Sequence, residues 1–221
     1  MESNKKATAI SILLPIVLFL LVLTRFFGSI KYGNTPEMSI WISRVLLWIA
    51  VFITWLYANK IEKKSFLLWT EQKKKPRFYL ISIIVILAGI TILLYTISFT
   101  EHKFGLAENN TKLNYINELM CNHEALILFT CLTAAFTEEF IFRGYLLPRL
   151  QIVFNNIWVS IIISSVLFGL SHFGFGDFNR MLFPFIIGII FSWVYYKYRS
   201  LAILIICHFL MDFYSLYFSC K

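Results

Sequence analysis

The chain has 221 residues, of which 59% are hydrophobic and 14% charged, and its mean hydropathy is +0.73. Soluble domains are about 45–50% apolar, so this composition excludes an ordinary soluble enzyme and indicates an integral membrane protein. A formal net charge of +8 drawn from so few charged residues does not describe a basic nucleic-acid-binding face. It fits loop lysines and arginines beside anionic lipid, so the bilayer is an expected partner and nucleic acid is not.

At the N-terminus, Lys5 and Lys6 precede an apolar stretch from Ala7 to Leu23. Thr24-Arg25-Phe26-Phe27 follows instead of a small-residue cleavage site, so a retained first span is expected rather than a removed signal peptide. Crossing a bilayer takes about 20 mainly apolar residues. Stretches near that standard run from Thr8 to Gly28, Met38 to Tyr57, Phe78 to Phe99, Glu124 to Leu147, Ile157 to His172, Met181 to Tyr198 and Leu201 to Phe218. Between the second and third, the lysine-rich stretch Lys60 to Arg77 carries Phe66-Leu67-Leu68-Trp69 at its centre and predicts an interfacial helix. Asn109-Asn110-Thr111 is a chance-prone glycosylation sequon. Gly174-Phe175-Gly176-Asp177 reads as a turn rather than an aspartyl-protease motif. Cys121, Cys131, Cys207 and Cys220 show no C-x-x-C spacing, so neither a disulfide framework nor a zinc ribbon is expected.

The expected fold is therefore all-α, a multi-pass transmembrane helix bundle of about seven spans, with the active site between helices. Residues 1–123 supply about three N-terminal spans, a basic cytoplasmic loop and an outer loop, and residues 124–219 form a four-helix catalytic core. The distribution of Lys and Arg favours a cytoplasmic N-terminus; the expected location is a bacterial plasma membrane.

The residues that resist this apolar pattern lie in Thr137-Glu138-Glu139-Phe140-Ile141-Phe142-Arg143. Each charge near mid-bilayer costs at least ~2.5–3.5 kcal/mol, so such residues need partners or a purpose. Glu139 and Arg143 are four apart on one helical face and can pair. Glu138 points about 100° away and must find partners on other helices. Two later spans offer them: Phe168…His172 ends one, and His208…Asp212 places an imidazole and a carboxylate four apart on another. Counted from Leu147 and Leu201, Glu138 and His208 both lie roughly 10–14 Å from the inner ends of their spans. His172, counted from Ile157, lies nearer ~22 Å and matches them poorly.

These motifs, Glu138-Glu139…Arg143, Phe168…His172 and His208…Asp212, occur in an order that resembles the CPBP intramembrane proteases, the Abi or type II CAAX prenyl protease family. The resemblance covers about Ala125 to Phe218 and implies an all-helical membrane endopeptidase. Its substrate would be a membrane-associated protein or peptide, prenylated in the prenyl-protease branch. By the same resemblance Glu138 activates water with His172 assisting, while His208 and Asp212 stabilise the oxyanion and Glu139 and Arg143 support them. Asp212 is a departure, because the prenyl-protease branch carries asparagine there, and an ionised carboxylate cannot donate to an oxyanion. It must be protonated or must orient His208. Glu138, His172 and His208 are also an adequate ligand set for one divalent metal such as Zn²⁺, with a fourth position for water; metal-bound and directly activated water stay open as alternatives. So do two other classes of function. One is a non-catalytic bacteriocin immunity or membrane binding protein of the same fold. The other is a coupled transporter, against which stands the lack of an inverted repeat.

Overall fold

The computed structural model describes residues 35–104, 111–121, 123–172 and 178–220. The expected first span, Asn109 and Asn110 of the sequon, and the Gly174–Asp177 turn lie outside the described residues. Every regular element is a helix: α1 (Pro36–Lys60), α2 (Pro76–Lys103), α3 (Thr111–Cys121), α4 (Glu124–Glu138), a π-helical segment (Glu139–Leu146), α5 (Leu147–Phe154), α6 (Ile157–Leu170), α7 (Phe178–Tyr198) and α8 (Leu201–Phe218). α4, the π segment and α5 run on as one rod, Glu124–Phe154, and this rod, α1, α2, α7 and α8 are each long and apolar enough to cross a membrane. At 14 residues, α6 is shorter than expected and reaches only ~21 Å.

Local sequence explains where the elements begin and end. Thr35 Oγ1 accepts from the Met38 amide at the start of α1, with proline next in line, a favourable opening for a helix. Asn155, in the left-handed conformation at φ 51°, closes α5, and Asn156 Oδ1 accepts from the Trp158 and Val159 amides to open α6. This two-asparagine turn folds the rod and α6 into an antiparallel hairpin. α6 and α7 then approach closely. A Cβ on Gly169 would lie 2.9 Å from the Met181 carbonyl oxygen, and one on Gly188 would lie 3.0 Å from Ser165 Cβ. In lipid, where apolar burial gives no driving force between helices, such small residues let backbones pack. Gly188→Val is therefore expected to lower stability by about 1–3 kcal/mol through overpacking, measured as a lower thermal midpoint in detergent; an unchanged midpoint would refute the close approach.

The segment between α1 and α2 corrects one expectation. Residues 61–75 are not an interfacial helix; they fold back as irregular chain against the end of the bundle. Arg149, fully buried, donates through Nε and Nη2 to Glu62 Oε2 at 3.0 and 2.6 Å, and to the carbonyls of Phe66 and Ser65. The Tyr145 hydroxyl donates to Glu62 Oε1, and the Arg149 guanidinium lies 3.6 Å from the Tyr145 ring centroid. Glu71 Oε2 accepts from the Leu201 amide at 2.8 Å, the first N–H of α8, and Arg199 lies over Trp69 at 3.5 Å. The apolar tetrad expected to face lipid is spent inside instead: Phe66 packs on Phe140 and Tyr145, and Leu67 approaches Gly144. Helical periodicity could not foresee this, because the anchoring partners lie more than 70 residues away.

The cysteines correct a second expectation. Cys121, closing α3, and Cys220, beyond α8, form a disulfide with Cα atoms 5.1 Å apart, while Cys131 and Cys207 are free and buried. A separation of 99 residues leaves no local spacing to read. Only the packing of α3 beside α8 brings the two thiols together.

Candidate active site

The π segment lies at the centre of the site. Its widened turns are seen in the Leu147 amide donating to the Phe142 carbonyl, five residues back, and the Ser164 hydroxyl donates to the same carbonyl at 3.2 Å. Pro148 follows at once; it has no N–H to donate and its ring crowds the preceding turn, which a local widening relieves. π turns inside α-helices are frequent at functional sites. Here the segment starts at Glu139, directly after Glu138.

Both glutamates are buried, Glu138 at 4% exposure and Glu139 at 0%. Arg143 Nη1 donates to Glu139 Oε1 at 3.0 Å, so the expected brace forms. The same oxygen also accepts from His208 Nδ1 at 2.8 Å. Glu139 thus does more than steady Arg143: it fixes the His208 ring and its tautomer. His208 Nε2 then faces two carboxylates, Glu138 Oε2 at 3.9 Å, beyond hydrogen-bond reach, and Asp212 Oδ2 at 3.4 Å. Asp212 is the open edge of the group, its side chain 35% exposed against 6% for Glu138. Glu138 Oε2 is buried and has no hydrogen-bond partner among the described residues.

His172 lies just past α6. Its Nδ1 must donate to the Phe168 carbonyl at 2.9 Å, because a carbonyl only accepts, and Ser171 Oγ lies 3.1 Å away. In the neutral ring this leaves the lone pair on Nε2. His172, His208, Asp212 and Arg44 all lie within electrostatic reach of Glu138. The depth mismatch expected for His172 disappears because the helix of Glu138 does not stop at Leu147. Glu138 precedes the hairpin turn by about as many residues as His172 follows it, so both lie ~24 Å from that turn. α8 begins higher, with Leu201 beside Gly144, and the 61–75 segment fills the space beneath it.

Phe168 holds the parts together. Its ring meets Phe142, His172 and His208 edge-on, and the Arg143 guanidinium carbon lies 4.3 Å from its centroid, a favourable cation–π distance. Phe191 on α7 covers His208 and Arg143 from another side. Sequence reasoning missed Phe191 and Arg44. A phenylalanine in an apolar span carries no signal; a lone arginine in the second expected span did carry one, through its insertion cost.

Among the described residues no group of three His, Cys, Asp or Glu side chains is arranged to hold an ion, and His172 Nδ1 is committed to Phe168.

No curated protein and no solved structure matches the chain. One family model does, over residues 122–214, somewhat less than half of the chain. That stretch contains Glu138, Glu139, Arg143, Phe168, His172, His208 and Asp212, and the family it matches is the one recognised in the three motifs: type II CAAX prenyl endopeptidase Rce1-like.

Proposed function

We propose that the protein is an intramembrane endopeptidase that hydrolyses a peptide bond of a membrane-associated protein or peptide, with Glu138 as general base. The observation that carries this reading is the Glu138 Oε2 atom, buried without a hydrogen-bond partner among the described residues and 3.9 Å from His208 Nε2. A buried polar atom left in this state calls for an explanation. A base awaiting its water is one that also accounts for the two histidines within reach of it.

In the reaction Glu138 takes a proton from water as the hydroxide oxygen bonds to the scissile carbonyl carbon. His208, held through Nδ1 by Glu139, presents an Nε2 proton to the oxyanion that develops. Glu138 then returns its proton to the amide nitrogen as the C–N bond breaks, leaving a carboxylate and an amine. Asp212, as an anion, cannot donate to the oxyanion; it orients His208 instead. The His172 ring is fixed by the Phe168 carbonyl. No step passes through a metal.

The family match supports a substrate anchored in the bilayer and cut near its C-terminus. The decisive experiment uses purified protein in lipid nanodiscs and a fluorogenic peptide ending in a C-a-a-X sequence, with and without a farnesyl group on its cysteine. Cleavage of the farnesylated peptide alone is expected for a prenyl-protein protease. Cleavage of both forms would keep the protease and remove the lipid requirement; cleavage of neither form, nor of any other membrane peptide, would sink the proposal. The basic 61–75 segment at one end of the bundle and the disulfide at the other support an N-terminus on the cytoplasmic side, as do the lysine counts.

A further inference from the structure

A groove of about 490 Å³ runs between α1, the 61–75 segment and the rod, a volume typical of small-molecule sites. Its apolar lining comes from Trp48, Phe52 and Trp55 of α1, Phe66 and Leu67 of the segment, and Phe140 of the rod. These walls are fixed from behind. Trp48 Nε1 donates to Thr133 Oγ1 at 3.1 Å, and Phe66 packs on Phe140 and Tyr145. Phe52 and Trp55 stack on each other and are 57% and 46% exposed, so on a helix that crosses the membrane the groove opens toward lipid.

The groove has the dimensions and polarity of one leaflet. Trp48 and Asn59 line it eleven residues apart on α1, ~16 Å along the axis, which is about half the ~30 Å hydrocarbon core. Asn59 and Ser65 line it too, next to the end of α1. That end is also strongly basic. Residues 60–77 contain six lysines and one arginine against two glutamates. Both glutamates are used within the fold, Glu62 on Arg149 and Glu71 on the Leu201 amide, so the lysines keep their excess of positive charge. The groove is separate from the candidate active site. Phe140 follows Glu138 by two residues, roughly 200° round the rod, so the two open on different faces.

We propose that this groove holds one anionic phospholipid of the bilayer. An acyl chain lies along Trp48, Phe52, Trp55 and Phe140, and the phosphate sits at the Asn59 and Ser65 end beside Lys60 and Lys63. The bound lipid braces the 61–75 segment, whose Leu67 abuts Gly144 of the π segment. The proposal does not depend on the proteolytic reading, and its test uses no cleavage.

The test is native mass spectrometry of the full-length protein released from nanodiscs that hold phosphatidylglycerol and phosphatidylcholine in equal amounts, with the same acyl chains. One retained phosphatidylglycerol is expected, favoured at least about fivefold over phosphatidylcholine, the factor that a single lysine near the surface contributes. Lys60→Gln with Lys63→Gln should erase the preference. Phe52→Ala with Trp55→Ala should lose the retained lipid, and should also lose the higher thermal midpoint that phosphatidylglycerol gives the wild type. If that variant does not fold, Val51→Trp, which fills the groove, and the lysine pair decide in its place. Equal retention of the two lipids by the wild type, no retained lipid, or a preference that survives the lysine substitutions would overturn the proposal, as would undiminished retention in the aromatic or groove-filling variant. Two other occupants would also overturn it. Release of the lipid by the farnesylated peptide would make the groove a seat for substrate, and a dimer that the aromatic substitutions abolish would make it a contact between copies.

Discussion

Glu138→Gln is expected to slow peptide cleavage by ~10²–10⁴-fold, the usual contribution of a general base, without unfolding the protein. The second half of this expectation comes from burial. Glu138 Oε2 has no hydrogen-bond partner among the described residues, so replacing the carboxylate by a neutral amide breaks no hydrogen bond made by that oxygen. The thermal midpoint should therefore stay level or rise. Glu139→Gln should behave differently: it weakens the buried contact to Arg143 and the 2.8 Å bond to His208 Nδ1 together, so midpoint and rate should fall together. Measuring both quantities on both variants separates the two carboxylates. A Glu138→Gln protein that cleaves at the wild-type rate would remove Glu138 from the chemistry, and an equal loss of stability in the two variants would remove the division of labour.

Arg149→Met should be the most destabilising single change. Arg149 and Glu62 are 0% and 3% exposed at the side chain, with a 2.6 Å contact between them. Taking away one member of a buried pair costs about 3–5 kcal/mol, because the other charge is stranded. Here the loss also strands the Ser65 and Phe66 carbonyls. A midpoint lower by on the order of 10 °C follows. Replacing both partners, Glu62→Gln with Arg149→Met, should be milder than the single change, since paired removal leaves no lone buried charge. A single variant that melts within about 2 °C of wild type would show that the contact contributes little.

The helices and the Glu139–Arg143 pair were legible because both depend on short-range spacing. Apolar runs of span length placed α1, α2, α7 and α8, and the i, i+4 relation paired Glu139 with Arg143 before any coordinates. Three features were not legible, each because its cause is remote in the chain. The 61–75 segment looked like a surface helix, since Phe66 and Trp69 find their partners on Tyr145, Tyr195 and Arg199. Cys121 and Cys220 carry no local spacing that marks them as a pair; only α3 and α8 side by side bring them together. The depth of His172 was misjudged because the rod was ended at Leu147, whereas the π segment carries the helix through Pro148 to Phe154. Glu139 as a ligand of His208 was missed for a related reason: an ideal α-helix assigns the two glutamates separate faces, and His208 lies between them, with one ring nitrogen toward each.

The Glu71 bond to the first amide of α8 bears on inheritance. Residues 122–214 contain the reactive groups, but Glu62, the Ser65 and Phe66 carbonyls and Glu71 come from the preceding sequence. Spliced onto a different N-terminal half, the stretch would keep its motifs and lose the supports that fix the start of the helix carrying His208. In this protein a substitution at Glu62 or Glu71 therefore reaches α5 and the start of α8, through Arg149 and the Leu201 amide.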